Sequence, residues 1–301
     1  MASFVRDAVR VIVPATSANL GPGFDSVGLA LGVYDELVAM VSDDEGVLVE
    51  VAGEGAASVP RNEQNLVASV MLQAFDAFGG RPPGFVLRCT NRIPHGRGLG
   101  SSAAARIGGL VLARALIDGG DDVFSDAELL DLANTMEGHP DNIAAALFGG
   151  FTIAWSDADH AHAVRRDVHP DVLPVVCVPP VELSTAKARG LLGDDVARAD
   201  AAFNVSRAAL LVHAVTEDPT QLMSATDDRL HQRQRQSAYP ESFALVQELR
   251  SADHAAMISG AGPSVIVLSS RERAAQISAP QGWTVAALPV DTAGTRVLPL
   301  A

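Results

Sequence analysis

The segment Pro94-His95-Gly96-Arg97-Gly98-Leu99-Gly100-Ser101-Ser102-Ala103-Ala104 is the densest run of chemistry-bearing positions in the chain. Glycines at 96, 98 and 100 leave backbone N–H groups free to approach an anion closely, and the Ser101 and Ser102 hydroxyls suit phosphate or magnesium. A long Ala- and Leu-rich stretch follows, so a helix N-terminus adds partial positive charge at the same place. The segment therefore reads as an anion cradle. It is not a Walker loop, because the Gly-Lys-Ser/Thr ending is missing, and it is not the Gly-x-Gly-x-x-Gly dinucleotide pattern.

Other segments carry charge or tight turns. Pro14-Ala-Thr-Ser-Ala-Asn19-Leu-Gly-Pro-Gly-Phe-Asp25 and Ile258-Ser-Gly-Ala-Gly262-Pro-Ser264 each read alone as an ordinary turn. Glu137-Gly-His139-Pro-Asp141-Asn142 ends a helical stretch with two carboxylates, and Asp131 lies earlier on the same stretch. Thr185 and Arg189 are four residues apart, which on a helix puts both on one face, where a hydroxyl and a guanidinium can address one ligand. The basic run 229–235 is short, and it suits a small anionic group better than a polymer.

These residues must be held by strands and helices in mixed order. Alternation and β-branched content predict strands over 9–13, 36–41, 47–51, 85–89, 151–155, 173–178, 256–259 and 265–268. Apolar spacing predicts helices over 65–78, 100–117, 126–137 with Ser125 as N-cap, 184–192, 201–215 and 242–250. Without regular β-α-β alternation the expected class is α+β. A polar, histidine-containing stretch at 156–167 marks the expected passage to a second lobe, giving a division into 1–158 and 159–301. His160 with His162, and the acids of 118–122, lack zinc or calcium ligand spacing and read as solvated loops.

With 22 Lys+Arg against 36 Asp+Glu, the net charge of −14 repels phosphate backbones and anionic lipid, so neither nucleic acid nor membrane is expected as a partner. Neither a signal-peptide core nor an apolar run of roughly 18 residues is found, which predicts a cytoplasmic location. The two cysteines, Cys89 and Cys177, sit in apolar runs and read as buried free thiols.

Taken in order, the loops near residues 14–25, 94–104 and 258–264 resemble the three motifs of the GHMP kinases, and the resemblance spans nearly the whole chain. Glu137 to Asn142, Leu147-Phe-Gly-Gly150, Ser184 to Arg189, Ala201 to Leu210 and His231-Gln-Arg-Gln-Arg235 look most like the homoserine kinase branch. Three positions depart from it: Ile143-Ala-Ala-Ala stands for a usual Ala-Pro pair, Gly193 for a Pro, and Arg233-Gln234 for Pro-Tyr. The resemblance implies a two-lobe fold, with an N-terminal β-α lobe containing a left-handed β-α-β crossover and a C-terminal ferredoxin-like lobe. It also implies ATP and Mg2+ as cofactors and L-homoserine as the substrate, phosphorylated on its hydroxyl for threonine biosynthesis. A homodimer stays an open alternative.

By the same resemblance, 94–104 binds ATP, Asn65 meets adenine, and Ser101 with Glu137 holds magnesium, Asp131 being the alternative carboxylate. Asp25 would meet the substrate ammonium and Arg189 with Arg235 its carboxylate, Arg233 being the alternative to Arg235. Asn19 would sit at the hydroxyl, with His139, Thr185 and Gly262 also lining the pocket. No firm general base emerges, since the homoserine kinase branch is thought to work without one; Asp141, also placed to help Asp25 at the ammonium, is the only candidate named. Two other readings compete: a GHMP kinase for mevalonate, a diphosphocytidyl polyol or a sugar, and a catalytically silent ligand-binding relative. The first gives no reason for the Asp25, Arg189 and Arg235 charges, and the intact loop serines and Glu137 argue against the second.

Overall fold

The computed structural model describes residues 3–158 and 160–300. Its first sheet is built on β1 (Val9–Ala18), β2 (Val27–Ser42), β3 (Gly46–Gly53) and β4 (Gly84–Asn91), with β11 (Arg296–Leu298) on the far edge, in the order β11-β1-β2-β4-β3. From Val13 onward β1 is buried at every position rather than every second one, as expected of a strand covered on both faces. β3 and β4 run parallel, joined through α1 (Leu66–Ala77), which makes a β-α-β unit. β5 (Phe151–Asp157) pairs with β2 and turns back as β6 (His160–Arg166).

Helices α2 (Ser101–Leu116), α4 (Asp126–Glu137) and α5 (Pro140–Phe148) pack on this sheet, and the single turn α3 (Gly120–Val123) packs on α2. Small residues let α2 come close: Ala103, Ala104, Gly108, Gly109 and Ala113 are all on its buried side. Ser125 is the N-cap of α4, as its sequence predicts, and forms a reciprocal box with Glu128.

The second sheet is antiparallel throughout, in the order β10 (Thr284–Ala287), β7 (Leu173–Val178), β9 (Val265–Ser269), β8 (Ala255–Ile258). Counted along the chain this is fourth, first, third, second, the ferredoxin-like arrangement. Helices α6 (Thr185–Arg189), α7 (Arg198–Thr216), α8 (Leu222–Ala225) and α9 (Pro240–Ser251) lie between β7 and β8, and only the single turn α10 (Arg271–Ala274) lies between β9 and β10. Cys89 and Cys177 are buried free thiols. Among the described residues no helix is long and apolar enough to cross a membrane.

Some expectations need correction. The polar stretch at 156–167 is not a passage between lobes but most of a β-hairpin, polar because β6 shows one face to solvent. A division after residue 158 therefore falls inside that hairpin, and β11 returns to the first sheet from the far end of the chain. His160 and His162 stand on β6 rather than in a loop, the former with its Nδ1 2.8 Å from Asp131, the latter stacked on Trp155.

Candidate active site

The glycine loop lies against the other two glycine segments. Gly98 (φ +71°) and Gly100 (φ +70°) are left-handed, and each is also in close contact. A Cβ on Gly98 would come within 2.3 Å of the Ser259 carbonyl, and one on Gly100 within 1.9 Å of Thr16 Oγ1. The Ser259 hydroxyl donates to the Gly98 carbonyl (2.6 Å) and lies 2.8 Å from the Ser17 hydroxyl. Gly260 N–H donates to the Ala18 carbonyl (2.9 Å) and Thr16 N–H to the Leu99 carbonyl (3.1 Å). Three segments far apart in the chain are thereby locked into one surface.

α2 begins at Ser101 behind the Gly100 N-cap, which offers no side-chain acceptor; Ala104 N–H to Gly100 O (2.9 Å) is its first internal bond. The preceding first-turn amides are thus free for an anion. They border a cleft of about 180 Å³, while a second cavity of about 320 Å³, lined by Val59, Pro60, Asn65, Leu66 and Ala105, opens on the other side of Ser101 and Ser102. An anion cradle between a polar and a more apolar hollow fits the phosphates and base of a nucleotide.

Glu137 to Asn142 is a joint between two helices. Glu137 ends α4, Gly138 turns the chain at φ +86°, His139 is the N-cap of α5 and Pro140 its first residue. The joint delivers Glu137, His139, Asp141 and Asn142 to the cleft together. Asp141 Oδ1 accepts from the Asn142 N–H (2.7 Å), while its buried Oδ2 has no partner. Burial pushes this carboxyl up to about 7; the Asn142 N–H opposes the shift and the Asp25 charge adds to it. Burial also holds the His139 imidazole below its ordinary range, with Arg189 adding to the effect.

Asn19 (φ +54°) and Asp25 (φ +54°) bracket a tight loop closed by Asp25 N–H donating to Asn19 Oδ1 (2.8 Å). The loop aims Asp25 at Arg189, which grips it bidentately, with Nη1 to Oδ2 at 3.2 Å and Nη2 on Oδ1. Between them Phe24 carries the guanidiniums of Arg189 and Arg235 at 5.5 Å from its ring centroid, and His231 stacks on it at 5.1 Å. Thr185, Arg189 and Arg235 all border the cleft, and Arg235 is 1% exposed.

The expected residues separate into two groups. Asn19, Ser101, Ser102, Ala103, Glu137, His139, Asp141, Thr185, Arg189 and Arg235 meet at the cleft, with Asp25 held on Arg189. His95 and Ala104 border the adjoining cavity. Others do different work. Arg97 turns away to donate to the carbonyls of Pro179 (3.1 Å), Pro180 (2.9 Å) and His95 (2.9 Å), strapping the loop to the segment before α6. Leu99 is core. Gly262 packs behind the cleft on Tyr239, and Gly260 and Ala261 line it instead. Asp131 is used by the β-hairpin, accepting from Ala161 N–H (2.6 Å), whereas Glu137 borders the cleft. Arg233 is exposed over a separate hollow with Asp227 and Arg250, whereas Arg235 borders the cleft beside Arg189. Asn65 caps α1, its Oδ1 accepting from Val67 N–H (3.0 Å), and still borders the second cavity. Sequence reading gave no role to Phe24, Thr16, Asn142 or His231, although all four lie inside segments it had singled out.

Known proteins resemble this chain in sequence and in fold. The family models for the GHMP kinases N terminal domain and the GHMP kinases C terminal match residues 65–150 and 211–280. The chain is 51% identical to a homoserine kinase of Streptomyces avermitilis, covering 99% of this chain and 98% of that one. It is 46% identical to a homoserine kinase of Mycobacterium tuberculosis, with 94% and 92% covered. Among solved structures, homoserine kinase from Cytophaga hutchinsonii superposes with a TM-score of 0.83 at 27% identity over 99% of both chains. Mevalonate kinase of L. major in complex with R-mevalonate, at 14% identity and a TM-score of 0.71 over 98% of this chain and all of its own, shares the fold.

Proposed function

The chain belongs to the GHMP kinase family, and from that premise we propose that it transfers the γ-phosphoryl group of ATP to the hydroxyl of L-homoserine, giving O-phospho-L-homoserine. One observation carries the choice of substrate. Beside the phosphate cradle lie two guanidiniums, Arg189 and Arg235, and one carboxylate, Asp25, the charge set of an amino acid's own termini. A neutral sugar or polyol would leave Arg235 without an anion and would gain nothing from opening the Arg189–Asp25 pair.

The amino acid enters by exchange. Its carboxylate replaces Asp25 as partner of Arg189 and supplies an anion to Arg235, which His231 holds in the unliganded site, and its ammonium takes Asp25, so each protein charge has a counterion. The hydroxyl then extends toward Asn19, whose Oδ1 is used by Asp25 N–H and whose Nδ2 is left to orient it. As the hydroxyl oxygen bonds to the γ-phosphorus and the bond to the β–γ bridging oxygen breaks, the hydroxyl proton passes to Asp141, the buried carboxyl with a free Oδ2. The first-turn amides of α2 and the glycine-loop amides hold the phosphates in line.

Magnesium fits the donors present. Glu137 and Ser101 are hard oxygen ligands at the cleft, and Mg2+ bound there would neutralise charge on the β- and γ-phosphates. Glu137 Oε2 is paired with Arg106 (2.6 Å) and lies 3.3 Å from the Ser102 hydroxyl, so Arg106 holds the carboxylate in place until a metal competes for it.

The test is a panel. ADP release is followed with magnesium, ATP and L-homoserine, L-serine, mevalonate or galactose, and the phosphorylated product is identified by mass. Homoserine should give the highest kcat/KM; equal or faster turnover of mevalonate or a sugar would sink the proposal.

A further inference from the structure

His231 is fully buried on the segment between α8 and α9, and the mechanism above does not use it. Its partners fix its tautomer. Nε2 lies 2.7 Å from the Gly21 carbonyl, which can only accept, so Nε2 carries the proton. Nδ1 is in contact with Nη2 of Arg235, which can only donate, so Nδ1 presents its lone pair. The His231 carbonyl accepts a further bond from Arg235 Nε (3.2 Å), so one residue holds the guanidinium at two of its nitrogens.

The support beneath His231 is unusually complete. Asp228 accepts N–H bonds from Leu230 (2.9 Å), His231 (3.1 Å) and Gln232 (2.9 Å), and one from Asn204 Nδ2 (2.9 Å). Gln232 ties the same turn to β8 through Ile258 N–H (2.7 Å), and Tyr239 donates to its carbonyl (3.0 Å). Burial, with Arg235 acting in the same direction and Asp228 against it, holds the His231 imidazole down at about 4, so the lone pair on Nδ1 persists at neutral pH.

We propose that His231 is the positioning residue for substrate carboxylate recognition: its Nδ1 orients Arg235 in the cleft while its Nε2–H latches the second-lobe turn to the 19–25 loop that carries Asp25. This rests on the reading that Arg235 meets a carboxylate. The two ring nitrogens do separable jobs, and two amide substitutions separate them. Glutamine can place a nitrogen near Nε2 and keep the latch while losing the acceptor for Arg235. Asparagine can place an oxygen near Nδ1 and keep the acceptor while losing the latch.

The experiment compares kcat/KM for L-homoserine with that for the aminopropanol that is homoserine without its carboxylate, in wild type, His231→Gln and His231→Asn, with melting temperature recorded alongside. For His231→Gln the expected result is a KM for homoserine raised about 10- to 100-fold, kcat and the ATP KM within about twofold, and preference over the aminopropanol reduced by the same factor. His231→Asn should keep most of that preference and melt at a lower temperature. If both variants lowered kcat alike and left the preference intact, the residue would be merely structural and the inference overturned. A wild type with no preference for homoserine would overturn the carboxylate reading, and this inference with it.

Discussion

Asp141 sets the cost of function at the scale of one side chain. Its folded pKa of about 7 stands above the ordinary value of 3.8, so the folded state binds more protons and stability is full below about 4 and lost as pH rises through about 7. At pH 8 the ionised, buried carboxylate should cost up to about 4 kcal/mol. Asp141→Asn keeps the Oδ1 acceptor for Asn142 and removes the charge. Calorimetry of the nucleotide-free protein should find the variant more stable than wild type at pH 8 and equal to it at pH 4, with kcat lower by about 10²- to 10⁴-fold. Wild-type kcat/KM should rise with pH through about 7; a flat profile with an active Asp141→Asn would remove the proton acceptor. The arginines separate in the same way. Arg189→Ala, Arg189→Lys and Arg235→Ala should each cost about 2–4 kcal/mol in kcat/KM for homoserine, because a lysine cannot reproduce the planar two-bond grip. Arg233→Ala, on the exposed side of the turn, should stay within about twofold. Steady-state kinetics on the four variants decides this, and a silent Arg235→Ala would refute it.

Elements convert those side chains into a site by where they begin and end. α2 starts at the cradle and α4 hands over to α5 at the cleft, so both junctions are built from turn residues rather than from apolar faces. Gly100→Ala combines a disfavoured φ with a contact no Cβ can tolerate, and the atom it meets, Thr16 Oγ1, is bonded to Asn142 Oδ1 (2.8 Å). The substitution should weaken nucleotide binding by at least about tenfold in a titration while the helix content by circular dichroism changes little, since the strain is confined to one turn. At the other junction, Glu137→Gln should lower turnover strongly and raise the magnesium needed for half-maximal rate. Asp131→Asn should lower the melting temperature instead, because Asp131 holds the β5–β6 hairpin. Reversal of those two phenotypes would move the metal ligand to Asp131.

Across the whole molecule the two sheets do not divide the chain cleanly. One apolar core contains Val13, Leu37 and Ile107 of the first lobe together with Val176, Leu211, Met257 and Ile266 of the second. A single cooperative melting transition is therefore expected, and a fragment ending at residue 158 should fail to fold because it lacks β6, β11 and part of that core. Two resolved transitions, or a folded fragment, would show the lobes to be independent. The chain order of glycine, serine and charged residues was enough to single out the 94–104 loop and the Thr185–Arg189 pair, and the family resemblance added the Glu137 to Asn142 joint, since loops, caps and one-turn spacings are local properties written in neighbouring residues. Local pattern could not reveal β10 or β11, four and three residues long, or α5, which begins at Pro140 directly after a turn. Nor could it choose between Arg233 and Arg235 or between Asp131 and Glu137. Members of each pair are alike in charge and close in sequence, and they differ only in what long-range packing sets beside them: His231 and Phe24 beside Arg235, Ser102 and Arg106 beside Glu137. Residue type, spacing and the family resemblance they carry picked out the candidates, and burial with its partners, a property of the folded chain alone, decided which of them meet at one cleft.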